Sequence, residues 1–533
     1  MASLRDVLVA ALKALFRGRS FLQALLAFWT TTATTKDVRS NKNVTISIAQ
    51  FLAEAERLIL GPVNARDLHQ LSQKLKTQFR QGLLSNPACM LPSYNSQLPT
   101  GKEPGQFLAL DVGGSTLRVA LVDLGARGAP GCETGIVRID SFKIDNSIRG
   151  LVGRAFFDWM AERIHQTIAK DSERGHSPEH PLLAGLAWSF PIDQTSSKGG
   201  NLCGMGKGFL AADGLLGEDL GEIIRLACLK KGLYVELSAI VNDSSATLLS
   251  AAYTTPSTRF GLILGTGVNI AVHLPVHTIR QSKYGDRPAT WHEKASHVIV
   301  NTELGMFGHD ILPVTKWDKQ LRKGHPRPDF QPLEHLVSGY YLGEVCRLIL
   351  LDAIQTTGNL GGVVPPSLNT PYTLDTETLS LIEADTTPTL TAAIKIFHTR
   401  HPSTITPTIA DMTFIRTLAS YISKRSASIV AASLFALWQL KSETEAEFLA
   451  PLSPDSPFLA ETEAEIKITR SKTTVAYNGS VVEHYPGYRA SLQQFLDELV
   501  TESTAEGEKG SIALVEAKES SLLGAAVALA CLD

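Results

Sequence analysis

Two stretches of the chain repeat one pattern of apolar and small residues. Apolar positions run from Phe107 to Val112, break at Gly113-Gly114-Ser115, and resume from Thr116 to Val122. The same order recurs from Phe260 to Leu264, with a break at Gly265-Thr266-Gly267 and a return from Val268 to Val272. Each reads as strand, tight turn, strand, the sequence form of a β-hairpin. Finding the unit twice, about 150 residues apart, predicts two related α/β lobes facing each other.

Between the hairpins, Leu182–Phe190 reads as a buried strand stopped by Pro191, and Leu237–Val241 as another. The second runs into Asn242-Asp243 and a small-residue helix over Ser244–Tyr253. An acid at the carboxyl end of a strand, just before a helix, stands where open α/β sheets gather ligands. After Glu303 the pattern turns helical, with Leu333–Asp352 reading as one long helix. Thr- and Pro-rich stretches at Pro365–Pro388 and Pro402–Pro407 read as loops and helix ends, and Pro451–Pro457 as a surface turn. A last small-residue helix, Leu522–Leu532, opens near Ser520-Ser521.

The start of the chain differs. Met1 to Trp29 carries Arg5, Lys13, Arg17 and Arg19 against Asp6, with apolar runs Val7–Phe16 and Phe21–Trp29. Neither run approaches the ~20 apolar residues of a membrane-spanning helix. Residues 1–36 therefore stand apart. One reading is a basic amphipathic or mitochondrial-type targeting segment, whose residues 1–30 contact a membrane surface. The other is an extra helix packed on the body. The remainder is expected in the cytoplasm, and the first reading adds association with the mitochondrial surface.

Composition narrows the picture little further. The 533 residues are 44% hydrophobic and 19% charged, with a formal net charge of −3. That fits two or three ordinary globular units and offers no basic field for nucleic acid. Six cysteines lie scattered without a CxxC pair, which indicates reduced thiols and argues against a disulfide framework or a zinc site. Oligomeric state is not readable from these features.

The candidate chemistry falls into two groups. The first suits phosphate. In Asp111-x-Gly113-Gly114-Ser115-Thr116-x-Arg118, glycines leave backbone amides open to phosphate oxygens and hydroxyls add donors. Asp111 would orient Mg²⁺ or its water shell, and Arg118 would stabilise charge on the transferring group. Gly265-Thr266-Gly267 forms a second cradle. Gly206-Lys207-Gly208 lacks the spacing of a Walker loop. The second group suits a ring of hydroxyls, which needs carboxylates and amides in fixed positions. Its members are Ser189, Lys207, Asn242, Asp243, Asn269, Glu303 and Glu334, each in a glycine- or aromatic-punctuated segment. Taken singly, each could equally be a cap, a turn or a surface charge.

Their joint order carries more. The phosphate hairpin, Ser189-Phe-Pro, Lys207-Gly-Phe, Val241-Asn-Asp, Gly265-Thr-Gly-x-Asn269, Glu303-x-Gly-x-Phe-Gly308 and Val337-Ser-Gly-Tyr-Tyr-Leu-Gly-Glu-Val-Cys-Arg347 resemble the hexokinase family in its own order. The resemblance covers roughly nine-tenths of the chain and is to a divergent, fungal-type sugar kinase. It implies an actin-like ATPase (ribonuclease H-like) α/β fold with small and large domains around a central cleft. Residues 95–240 and 515–533 would form the small domain, and 37–94 and 241–514 the large one. It further implies Asp243 as the base at the sugar's C6 hydroxyl and Lys207 as charge balance, with Arg118 acting on the phosphoryl group. Ser189, Asn242, Asn269, Glu303 and Glu334 would hold the ring. ATP would be held by the two turns, by Thr116, and by Asn478, Gly479 and Ser480, with Mg²⁺ near Asp111.

Departures from the family pattern fall mainly on the nucleotide side. Ser115-Thr116 replaces Thr-Asn, Asn478 replaces an acid, and Ser520-Ser521-Leu522-Leu523-Gly524 loses a glycine. Near the sugar, Gly206 replaces Thr, which would either enlarge the pocket for a C2 substituent or weaken hexose binding. Three readings follow: a kinase of ordinary hexoses, a kinase of a modified sugar such as N-acetylglucosamine, and a sugar-sensing regulatory protein with little turnover.

Overall fold

The structure, a computed structural model, describes residues 46–128, 134–169, 176–206, 208–503 and 511–532. The basic N-terminal segment, Lys207 and Cys132 lie outside the described residues. Residues 46 onward form one compact unit.

After two helices, Ile48–Ile59 and Ala65–Ser85, the chain enters the sheets through β1 (Leu91–Pro92), then adds β2 (Gly105–Val112), β3 (Thr116–Leu124), β4 (Gly135–Lys143) and β5 (Leu182–Trp188). A small hairpin, β6 (Ile192–Gln194) and β7 (Gly200–Leu202), precedes β8 (Val235–Val241). Later come β9 (Thr258–Leu264), β10 (Val268–Pro275), β11 (His297–Asn301), β12 (Thr473–Asn478) and β13 (Ile512–Glu516). One sheet has the order β4-β3-β2-β5-β8, and the other β1-β11-β10-β9-β12-β13. In both, an antiparallel meander of three strands is followed by two parallel additions. The repeated hairpin is thus the visible part of a repeated five-strand sheet.

Two small-residue helices, Asp243–Thr254 and Ser520–Ala530, pack on each other between the sheets. Three glycines permit the approach. A side chain at Gly185 on β5 would sit 2.1 Å from the Ala525 carbonyl, at Gly524 2.1 Å from the Ala246 carbonyl, and at Gly261 on β9 2.3 Å from the Ser244 carbonyl. Alanine- and serine-rich helices make a thin layer, and the cleft opens at its edge.

The second lobe is held together differently. The helix Ile409–Leu449, 41 residues long, runs through its core. Buried on it, Lys441 Nζ donates to the His273 carbonyl (3.0 Å), Glu445 (2.6 Å) and Glu465 (3.0 Å). Arg259 grips Glu465 with two bonds of 2.6 Å. Burial pushes His273 down to about 4, so its ring stays neutral beside these ions. Removing Glu465 would leave buried Arg259 without a counter-charge, which makes the cluster an anchor for the far ends of β9 and β10.

Two sequence expectations need correction. Leu333–Asp352 is not one helix: Glu334–Val337 ends at Ser338, which is extended, and Gly339–Thr357 begins anew. The break lets the N–H groups of Gly339 and Tyr340 donate to the carbonyls of Gly265 (2.8 Å) and Thr266 (3.1 Å). The Pro365–Pro388 stretch contains a helix, Thr376–Ala384, capped by Asp375 and buried through Leu379 and Ile382. Cap and burial outweigh the local proline and threonine signal. The five described cysteines are free thiols.

Candidate active site

The cleft between the sheets has a volume of about 920 Å³. Ser189 enters it from the end of β5, Asn242 and Asp243 from the end of β8, Asn269 from β10 and Glu303 from beyond β11; all five line its wall. Each therefore sits where a strand stops or turns, as ligand groups do in open α/β sheets.

Asn242 is the N-cap of the helix Asp243–Thr254, and its Oδ1 accepts from the Ser245 N–H at 2.8 Å. That fixes the amide and turns Nδ2 away from the helix, where it is buried without a hydrogen-bond partner among the described residues. An orphan donor in a polar cleft calls for a ligand oxygen. Trp188, 3% exposed and also in the wall, leaves its Nε1–H equally without a partner. Asp243 opens the helix, and its Oδ1 accepts from the Ser244 N–H at 2.8 Å. Glu303 stands in the left-handed region (φ 52°). Burial raises its carboxyl above the ordinary value, the Asn301 amide works against that, and the charge of Asp243 adds to it.

Glu334 does not line the cleft. Its Oε2 accepts from the Val268 N–H at 3.0 Å, beside Asn269, and a side chain at Gly267 would come within 2.9 Å of that oxygen. Gly206 lies outside the wall too: it has φ +64°, and a Cβ there would meet nothing within 4 Å. A glycine suits that backbone conformation.

On the phosphate side, Asp111 and Arg118 are cross-strand partners on β2 and β3. Arg118 donates through Nε (2.8 Å) and Nη2 (2.5 Å) to Asp111 Oδ2, and through Nη1 (2.7 Å) to Glu519. Burial raises the Asp111 carboxyl, the Arg118 charge opposes it, and Glu519 adds to it. Beside the turn, a side chain at Gly113 would meet only the Thr116 carbonyl, at 3.6 Å, so its face is open. Gly114 and Ser115 are tied from behind, their carbonyls accepting from Arg149 (2.9 Å) and from the Ile144 N–H (2.8 Å). In the other lobe, the turn residue Gly265 meets Gly479 and Ser480. Gly479 has φ +125°, and a side chain there would strike Leu264 at 2.5 Å; at Gly265 one would touch the Ser480 N–H at 3.4 Å. Asn478 closes this corner, its Nδ2 donating to the Ala517 carbonyl at 3.2 Å.

Duplicated sheets, a cleft between them lined by polar side chains from both, and one glycine turn from each lobe define a two-lobed sugar kinase of the actin-like class. Hexokinase family profiles match residues 61–253 and 259–531. The chain is 30% identical to Hexokinase-1 of Spinacia oleracea, over 86% of each chain, and 32% identical to Hexokinase-2 of Candida albicans, over 82% of this chain and 83% of the relative. A solved hexokinase from Schistosoma mansoni, complexed with glucose, superposes with a TM-score of 0.71 at 25% identity, covering 91% of this chain and 100% of that one. The chain belongs to the hexokinase family and is a hexokinase-type sugar kinase.

Three contributors escaped the motif reading. Asn301 joins Asn269 to Glu303, Gln331 lines the wall at φ 55°, and Glu519 reaches Arg118 from 401 residues away. Positive φ at a non-glycine residue leaves no sequence trace, and neither does a contact so distant in sequence.

Proposed function

We propose that the chain transfers the γ-phosphoryl group of Mg-ATP to the C6 hydroxyl of a free hexose. The observation that carries this is the meeting of Ser189, Asn242, Asp243, Asn269 and Glu303, drawn from both sheets, in one cleft. Asp243, in the cleft wall, is the base that takes the proton of the reacting hydroxyl. Asn242 Nδ2 donates to a ring oxygen, and Ser189, Asn269 and Glu303 fix the remaining hydroxyls.

The residues present fit a nucleotide. The open turn at Gly113–Ser115 and the turn at Gly265–Gly267, with Thr116, Gly479 and Ser480 beside them, offer N–H and hydroxyl donors to phosphate oxygens. Asp111 would supply one carboxylate for Mg²⁺ or its water shell, sufficient where phosphate oxygens and waters provide the other ligands. Bound there, Mg-ATP supplies the activated phosphoryl group. Arg118 meets its charge once Glu519 yields the Nη1 contact.

N-acetylglucosamine is the alternative acceptor, supported by a cleft with room beyond one ring. A sugar sensor with little turnover is supported by one observation, the capture of Arg118 by two carboxylates. ADP release with glucose, fructose, mannose, glucosamine and N-acetylglucosamine, with Asp243→Ala as the blank, separates these. Turnover lost in the blank is expected. A sugar that raises the melting temperature without turnover would establish the sensor.

A further inference from the structure

Asn301 ends β11 at the cleft, and both ends of its amide are committed. Its Oδ1 accepts from Asn269 Nδ2 at 2.8 Å and from the Glu303 N–H at 3.2 Å, while its Nδ2 donates to Glu303 Oε1 at 2.8 Å. Asn269 is anchored at its other end: its Oδ1 accepts from the N–H groups of Ile270 (2.8 Å) and Leu304 (3.3 Å) and from the Thr302 hydroxyl (3.4 Å).

The polarity of this chain follows from donor and acceptor chemistry alone. An ionised carboxylate only accepts, so Asn301 must show Glu303 its NH₂ group and Asn269 its oxygen. Backbone N–H groups only donate, so Asn269 must give them its oxygen and keep its NH₂ for Asn301. Two valences are then left on residues that line the cleft. Asn269 has one remaining N–H, a donor, and Glu303 has Oε2, an acceptor. A hydroxyl can accept from the first and donate to the second. A ring carbon without that hydroxyl would leave a buried donor and a buried acceptor unpaired together. Asn301 also holds the N–H of a residue in left-handed backbone (Glu303, φ 52°), a conformation that persists only when its surroundings enforce it.

We propose that Asn301 is a positioning and specificity-determining residue, which orients Asn269 as donor and Glu303 as acceptor toward a single sugar hydroxyl. This rests on the sugar-site reading above. It goes beyond that reading in naming a residue that sets the hydrogen-bond direction of two others.

Asn301→Asp tests it with almost no change of shape. Aspartate can still accept from Asn269 but cannot donate to Glu303, and it sets two carboxylates against each other. The sugar KM is expected to rise about tenfold or more near pH 8. The nucleotide KM is expected to stay close to that of the wild type, while the unliganded melting temperature falls near pH 8, where the two ionised carboxylates face each other. Near pH 6 the sugar KM is expected to fall back, because facing carboxylates readily share a proton. In Asn301→Ala, the wild-type preference for the hexose over whichever of its 2-, 3- or 4-deoxy analogues it rejects most strongly is expected to shrink about tenfold. Should the aspartate variant not fold, Asn301→Ser with sugar-induced melting shifts carries the same comparison. A wild-type sugar response that is unchanged in these variants across pH 6–8 overturns the relay alone. No sugar response in the wild type overturns the sugar site, and the relay with it.

Discussion

The two hairpins hold equivalent places in the two sheets but are furnished differently. At the second cross-strand pair below the turn, β2 and β3 set Asp111 opposite Arg118, whereas β9 and β10 set Ile263 opposite Asn269. The first position is ionic and reaches a third charge, Glu519; the second is neutral and leads through Asn301 to Glu303. A polyanionic ligand returns the cost of burying a guanidinium, while an uncharged sugar offers no counter-charge. The scaffold is duplicated, and the division of labour lies in which residues stand at one pair of matched positions.

The comparison can be broken most directly by emptying each position in turn. Arg118→Ala is expected to lower kcat by about 10²–10³-fold, the usual loss on removing a donor that meets developing charge. The same change should leave the sugar KM almost unmoved. It should also lower the melting temperature, since buried Asp111 loses its partner. Asn269→Ala is expected to do the reverse, raising the sugar KM about tenfold with the nucleotide KM unchanged. Steady-state kinetics with each substrate varied decides it. Matching effects of both variants on both KM values would refute the division.

The layer joining the lobes gives the next largest effect. Gly524 faces the Ala246 carbonyl at a distance that excludes any side chain. Gly524→Val is therefore expected to destabilise the protein by about 3 kcal/mol, the upper end for overpacking, read as a shift in a chemical denaturation midpoint. Tolerance of valine there would mean that the helix layer can separate without cost.

Much of the architecture was legible because it rests on local pattern. Both hairpins, the helix after Asp243 and the C-terminal helix show in spacing and small residues alone. The repeated sheet order was legible only as far as those hairpins, since β12 and β13 join the second sheet from far along the chain. The 41-residue helix Ile409–Leu449 went unread because its buried positions go all round it, which erases the periodicity that marks a surface helix. Of the site, the motif residues Ser189, Asn242, Asp243, Asn269 and Glu303 could be picked out by type and segment. Glu334 could not be sorted from them, because a carboxylate that caps a neighbouring N–H looks the same in sequence as one that faces a ligand. Gly206 is ambiguous for a related reason: a missing side chain suggests space, and a φ of +64° calls for glycine as well.

The smallest expected effect sharpens the neutral side of the comparison. Glu303 is the one carboxylate in the Asn269–Asn301 relay, and burial raises it above its ordinary 4.5. A carboxyl raised in the folded state favours the protonated native form, so ionising it costs stability. That cost is absent in acid and grows as pH rises from the unfolded value through the folded one. Glu303→Gln keeps an oxygen for Asn301 and removes the charge. The variant is expected to melt above the wild type at neutral pH, with the gap closing toward pH 4.5, and to lose most of its sugar-induced stabilisation. Melting curves with and without sugar across that range check both parts. A variant less stable than the wild type at neutral pH would make Glu303 a structural residue of the β11 turn. A more stable one that no longer responds to sugar would show a group kept ionised at the expense of the fold, as a ligand-facing acceptor must be.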